Sequence, residues 1–203
     1  MKSVLRAILA TSLVMTLSQA VTVSAAKSRP PLAYWAFNCF TTCGDANLQP
    51  EAVSGANASM SSGLEPDASG NLSGTTLNAF GLYEARAALT LRTGTGGVNN
   101  GRSLTWRVNT SGAANLQVSF AARRSPGGFS NNQFQYTLDG TNFVDFGAPF
   151  DPSADFALVS FDLRKVRGLD NNPSAGFRIV FTDGSAADAS QYELIDNLQV
   201  TGK

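Results

Sequence analysis

Ser103-Leu104-Thr105-Trp106-Arg107-Val108 sets Leu104, Trp106 and Val108 in strict alternation with Ser103, Thr105 and Arg107. A period of two sends the apolar side chains to one face of an extended strand and the polar ones to the other. The same pattern runs outward in both directions. Leu116, Val118, Phe120 and Ala122 alternate with Gln117, Ser119 and Ala121, and Phe134, Tyr136 and Leu138 follow. Then come Ala157, Val159, Phe161 and Leu163, next Phe177, Ile179 and Phe181 against Arg178, Val180 and Thr182, and a last run from Tyr192 to Val200. Upstream, residues 32–37 and 87–91 add two apolar segments, for at least eight strands. One apolar face per strand is what two sheets packed face to face require. The expectation is an all-β, single-domain jelly-roll β-sandwich of two antiparallel sheets.

The breakers agree. Asp139-Gly140 separates Phe134–Leu138 from Phe143–Phe146 and is a strong hairpin signal. Gly94-Thr95-Gly96-Gly97 and Ser125-Pro126-Gly127-Gly128 are further turns. Residues 45–76 are rich in Ser, Gly, Asn and Ala, which reads as a long surface loop with an edge strand or two.

The 203 residues contain no histidine. That excludes hydrolases with an imidazole base, histidine-ligated zinc or iron, and imidazole pH sensing. The chain opens with Lys2 and Arg6, continues through a short apolar stretch and reaches Val23-Ser24-Ala25-Ala26, the pattern of a cleaved signal peptide over residues 1–26. The stretch is short and broken by Thr11, Ser12, Thr16 and Ser18, so no membrane span is expected in the mature domain, residues 27–203. Without Lys2 and Arg6 the charges are 13 basic against 15 acidic, a net of −2 with no basic face, so nucleic acid is not an expected partner. The expected location is secreted, extracellular or periplasmic. In an oxidising compartment Cys39 and Cys43 read as a local disulfide around Phe40-Thr41-Thr42; a redox pair or half of a metal site is the alternative.

Three segments together resemble a known group: residues 134–143, residues 169–173 leading into 176–181, and Ile195-Asp196-Asn197-Leu198-Gln199-Val200-Thr201-Gly202. They are similar to secreted bacterial jelly-roll modules of the carbohydrate-binding-module, MAM and concanavalin-like type, over roughly residues 100–202. The resemblance implies a non-catalytic module, often with an acidic residue on the closing strand that helps hold a structural calcium. The C-terminal sorting helix of many surface-associated relatives does not follow Lys203, which implies a freely released protein.

Asp196 draws attention on the closing strand. If Leu194, Leu198 and Val200 face the core, strict alternation turns Asp196 inward, where a carboxylate needs a partner. Two readings stand: a calcium ion shared with Asn38 or carbonyls near Phe37, or backbone amides or an arginine at a bulge. For ligand binding, the loop carrying Arg123, Arg124, Phe129, Asn131, Asn132 and Gln133 offers guanidinium, amide and aromatic groups suited to a polysaccharide or glycoconjugate, with Gln135, Asn142 and Tyr83 as extensions. An ordinary polar turn with arginines paired to carboxylates is the plainer alternative. Trp35 and Trp106 lie on apolar-periodic strands and read as core. Glycoside hydrolysis needs two placed carboxylates, and Glu51, Glu65, Glu84 and Glu193 show no such spacing. The functional expectation is an exported, non-catalytic binding module recognising glycan or another cell-surface or matrix component. A structural or adhesive protein without a small-ligand site comes second, and a glycoside hydrolase or polysaccharide lyase third.

Overall fold

The computed structural model describes residues 30–38, 48–50, 57–65 and 69–203. The signal segment, Cys39, Cys43 and Glu51 lie outside the described residues. Among the described residues eleven strands follow one another: β1 (Ala33–Trp35), β2 (Ala58–Ser62), β3 (Ser69–Ser73), β4 (Ala87–Arg92), β5 (Ser103–Val108), β6 (Gln117–Arg124), β7 (Asn131–Thr137), β8 (Phe143–Asp145), β9 (Ala157–Asp162), β10 (Gly176–Thr182) and β11 (Tyr192–Thr201).

One sheet has the order β3-β4-β11-β6-β9, with β1 pairing β11 beyond the end of β4. The other has the order β2-β5-β10-β7-β8. From β4 onward the chain passes back and forth, so that β4-β11-β6-β9 faces β5-β10-β7-β8. That order is the jelly roll expected from the strand count. The region read as a loop with edge strands supplies β2 and β3, each at the edge of its sheet. No helix among the described residues is long and apolar enough to cross a membrane.

The inward faces close on a large aromatic core. Trp35, Trp106, Phe120, Phe129, Phe134, Phe177 and Phe181 are fully enclosed. Phe134 stacks on Phe161 from the opposite sheet with ring centroids 3.9 Å apart, and Phe177 and Trp106 flank it at 6.2 and 6.1 Å. Burying each such side chain contributes about 1.5–3 kcal/mol, which is what holds sheets joined by so few covalent turns. Trp35 donates its indole N–H to the Leu48 carbonyl at 2.9 Å, whereas the Trp106 N–H is buried without an acceptor. Both tryptophans are core, as their strands suggested.

At the β7–β8 hairpin Asp139 organises the turn. Its Oδ1 accepts the Thr141 and Asn142 amides at 2.8 and 2.7 Å, and its Oδ2 accepts the Asn142 side-chain amide at 2.6 Å. These donors, the Asn142 backbone amide first, hold the carboxyl far below the usual carboxylate range.

Strand β11 departs from strict alternation. Its pairing with β6 shifts register between Asp196 and Gln199, and Asn197 takes a left-handed φ of 51° there. An asparagine tolerates that conformation better than most residues, so a bulge forms at it. Ile195, Leu198 and Val200 remain in the core, Glu193 points inward, and Asp196 faces the other side. The inward turn expected of Asp196 is therefore corrected: the acid inside the sandwich is Glu193.

Candidate functional site

The outer face of the β2-β5-β10-β7-β8 sheet collects polar side chains in register. Ser61, Thr105, Arg178, Gln135 and Asp145 are cross-strand partners in one unbroken row over all five strands. The adjacent row is Ser59, Arg107, Gly176, Thr137 and Phe143. Alternation explains the face: each strand that sends Trp106, Phe177 or Phe134 into the core must send its neighbours outward.

At the centre, the Arg178 guanidinium lies 4.1 Å over the Phe143 ring and its Nε donates to Gln135 Oε1. Gln135 in turn donates its Nε2 to Asp145 Oδ1 at 2.6 Å. Partial burial pulls the Arg178 guanidinium below the ordinary arginine value, with the Asp145 charge opposing, and an arginine so placed stays cationic. The relay holds the guanidinium plane still, and the Nη groups of Arg178 make no hydrogen bond among the described residues. Donors on Arg178 thus stand beside acceptors on Asp145, the pairing that adjacent sugar hydroxyls need. Phe143 already carries the guanidinium on one ring face, so recognition here runs through hydrogen bonds more than through ring stacking.

The six loop residues singled out in the sequence do not converge on one surface. Arg124 is held by Asp151, Nε to Oδ1 at 2.6 Å and Nη2 to Oδ2 at 3.2 Å, and caps the Ser125 and Pro126 carbonyls. This is the plainer alternative, an arginine paired to a nearby carboxylate. The loop itself is latched to β11: Ser125 Oγ donates to Gln191 Oε1 at 2.7 Å and accepts the Tyr192 amide at 2.9 Å. Phe129 is core, packed on Phe181 at 5.3 Å. Asn132 points inward to Glu193. Arg123 belongs to the outer face of the other sheet, with its guanidinium over Phe156 and Tyr192 at 5.3 and 5.7 Å. Asn131 and Gln133 alone extend the polar face, through the register Thr182–Asn131 and Val180–Gln133. Their composition suggested a turn, but β7 begins at Asn131.

Asp196 and Asn38 serve other partners. Asp196 Oδ2 accepts the Thr75 amide at 2.7 Å and Oδ1 accepts the Asn197 amide at 2.8 Å. Asn38 Oδ1 accepts the Arg86 and Ala87 amides, both at 3.2 Å, and its Nδ2 donates to the Glu84 carbonyl at 2.9 Å. Oxygens aimed at N–H donors do not present a shell to a cation, so these residues as arranged do not fit calcium. No group of three metal-ligating side chains occurs among the described residues. Calcium added to chelator-treated protein is accordingly expected to leave the melting temperature unchanged, and a rise would restore the cation.

Asn197, missed in the sequence, ties this corner together. Its Nδ2 donates to the Thr75 and Leu77 carbonyls at 2.7 and 3.0 Å, and its Oδ1 accepts the Tyr34 hydroxyl at 2.5 Å. Asn197→Ala leaves these groups unmatched at a left-handed position and is expected to cost about 2–3 kcal/mol in urea unfolding.

The three described glutamates are not paired with one another. Glu193 is sealed in the core, Glu84 pairs with Arg86 at 3.2 Å in solvent, and Glu65 faces Arg102 at 3.6 Å. At one end of the other sheet an open groove of about 640 Å³ is lined by Asn115, Gln117, Asp162, Arg164 and residues 201–203. Arg164 is committed there to Asp162, whose carboxyl its hydrogen bonds pull down to about 2.

No family model and no curated protein matches the sequence. Solved structures show partial similarity to it. The xylan-binding CBM22-1 domain from Paenibacillus barcinonensis Xyn10C is 15% identical, with 88% of this chain and 97% of that chain covered and a TM-score of 0.48. The CBM22-1-GH10 modules of Clostridium thermocellum xylanase 10B, complexed with xylohexaose, are 9% identical over 85% of this chain and 28% of that chain, with a TM-score of 0.49. The K2 cleaved adhesin domain of Lys-gingipain is 12% identical over 73% and 90%, with a TM-score of 0.45. Residue roles do not transfer at such identities.

Proposed function

We propose that the protein is an exported, non-catalytic module that binds a polysaccharide or glycoconjugate on the outer face of its β2-β5-β10-β7-β8 sheet. The observation that carries this reading is the preorganised row Arg178–Gln135–Asp145, which sets fixed donors beside fixed acceptors on an open polar face. Burial of sugar hydroxyls is favourable only where each finds a partner, and a row already held in place gives up little conformational entropy on binding. The N-terminal charge and small-residue pattern supports export to the compartment where such a ligand is met. The burial of Glu193 and the pairing of Glu84 and Glu65 with arginines support binding without hydrolysis by these glutamates.

The experiment is a glycan array probed with the purified chain, followed by incubation with the retained glycans and assay of reducing ends. Retention of a defined glycan class without release of reducing ends is expected. A chain that binds nothing on a broad array, or that cleaves what it binds, would refute the reading.

A further inference from the structure

Glu193 lies on β11 with no exposed surface, inside the sandwich, and takes part in no step of the binding proposed above. Its hydrogen-bond partner among the described residues lies across the core: Asn132 of β7 donates Nδ2 to Glu193 Oε2 at 2.8 Å, joining one sheet to the other. Two oxygens of the same pair, Glu193 Oε1 and Asn132 Oδ1, are buried with no hydrogen-bond donor. Two acceptors without a donor are costly in a closed core, and a single proton on the carboxyl supplies what both lack.

We propose that Glu193 is stored in the folded protein as the neutral acid, its proton closing a second hydrogen bond to Asn132 Oδ1, so that an acid–amide pair joins the two sheets and opens when the proton is lost. The charged groups around it do not offer a substitute. On β6 the cross-strand neighbour is Arg124, whose guanidinium is spent on Asp151 and on the Ser125 and Pro126 carbonyls. Asp151, ahead of β9, neutralises that cation. On β4 the facing residue is Leu91, with Arg92 turned away to the Ser190 carbonyl; on β10 the residue beside Asn132 is Phe181. Burial pushes the Glu193 carboxyl well above the usual range, against the weaker pull of the Asn132 bond and the Arg124 charge.

A group whose proton is held more tightly in the folded than in the unfolded chain lends stability that is complete below the unfolded value, near pH ~4.3, and is lost as pH rises toward the folded value. Asn131, Gln133 and Gln135 project from the other side of the strand that carries Asn132, so the pair also braces the polar face from beneath.

The test is urea unfolding of the full mature chain between pH 4.5 and 9, wild type against Glu193→Gln, whose amide supplies the missing donor permanently. Above the unfolded value the wild-type folding constant is expected to fall relative to Glu193→Gln, by up to about tenfold per pH unit until the folded value is passed and level beyond it, with the two closest at the acid end. Parallel slopes would overturn the proposal. Should Glu193→Gln fail to fold, carboxyl-¹³C-glutamate NMR of the wild type decides alone. One glutamate signal still at its protonated position at pH 7 supports the acid–amide pair, and all signals at the ionised position overturn it.

Discussion

Replacing Phe134 by alanine is expected to lower the unfolding free energy by about 3–5 kcal/mol. Phe134 is fully buried on β7 and touches both sheets. Its ring stacks on Phe161 of β9 at 3.9 Å and neighbours Trp106 of β5 and Phe177 of β10 at 6.1 and 6.2 Å. Strand backbones cannot collapse into the void, because β7 is hydrogen-bonded to β10 on one side and β8 on the other. With total stability near 5–15 kcal/mol, the variant should unfold at a much lower urea midpoint or fail to accumulate. Phe134→Leu, which refills most of the volume, should recover more than half of the loss. A Phe134→Ala midpoint within experimental error of wild type would mean that the aromatic stack is not what joins the sheets.

The second large effect concerns binding. Arg178→Ala removes the charged donor at the centre of the polar row and leaves Gln135 and Asp145 without the cation that orders them. A hydrogen bond from a charged group to a ligand contributes about 1.5–3 kcal/mol, so affinity for the retained glycan should fall roughly tenfold to a hundredfold. The fold should persist, because Arg178 is only half-buried and Phe177 and Ile179, its neighbours in the core, are untouched. Arg178→Lys keeps the charge but loses the flat stack on Phe143 and the fork geometry, and should bind nearly as poorly as alanine. Arg124→Ala at the end of β6, by contrast, should weaken stability through the lost Asp151 pair and leave binding unchanged.

Much of this architecture can be read in residue order. Leu104-Thr105-Trp106 and Phe177-Arg178-Ile179 announce their inward and outward faces by period alone, and Asp139-Gly140 marks the hairpin that joins β7 to β8. What period counting does not carry is lateral order. Arg178, Gln135 and Asp145 are far apart in the chain and become one row only because β10, β7 and β8 are neighbours in that sequence of pairings. The loop residues misled for a related reason: Asn131, Asn132 and Gln133 follow two glycines and share turn-like composition, yet they open a strand whose alternation separates Asn132 from the other two. On β11 one asparagine in the left-handed region resets the alternation, so that Asp196 and Glu193 exchange the positions that strict counting assigns them. An asparagine permits a bulge there without requiring one; the tertiary bonds to Tyr34, Thr75 and Leu77 select it.

The central claim is that one sheet face, and not the loop after β6, meets the ligand. Backbone amide NMR of the ¹⁵N-labelled chain, titrated with the glycan retained most strongly on the array, tests it most directly. Saturating shifts at Thr105, Gln135, Asp145 and Arg178, with residues 123–129 unmoved, are the expected result. Shifts confined to residues 123–129, or spread over the opposite sheet around Arg123 and Tyr192, would contradict it.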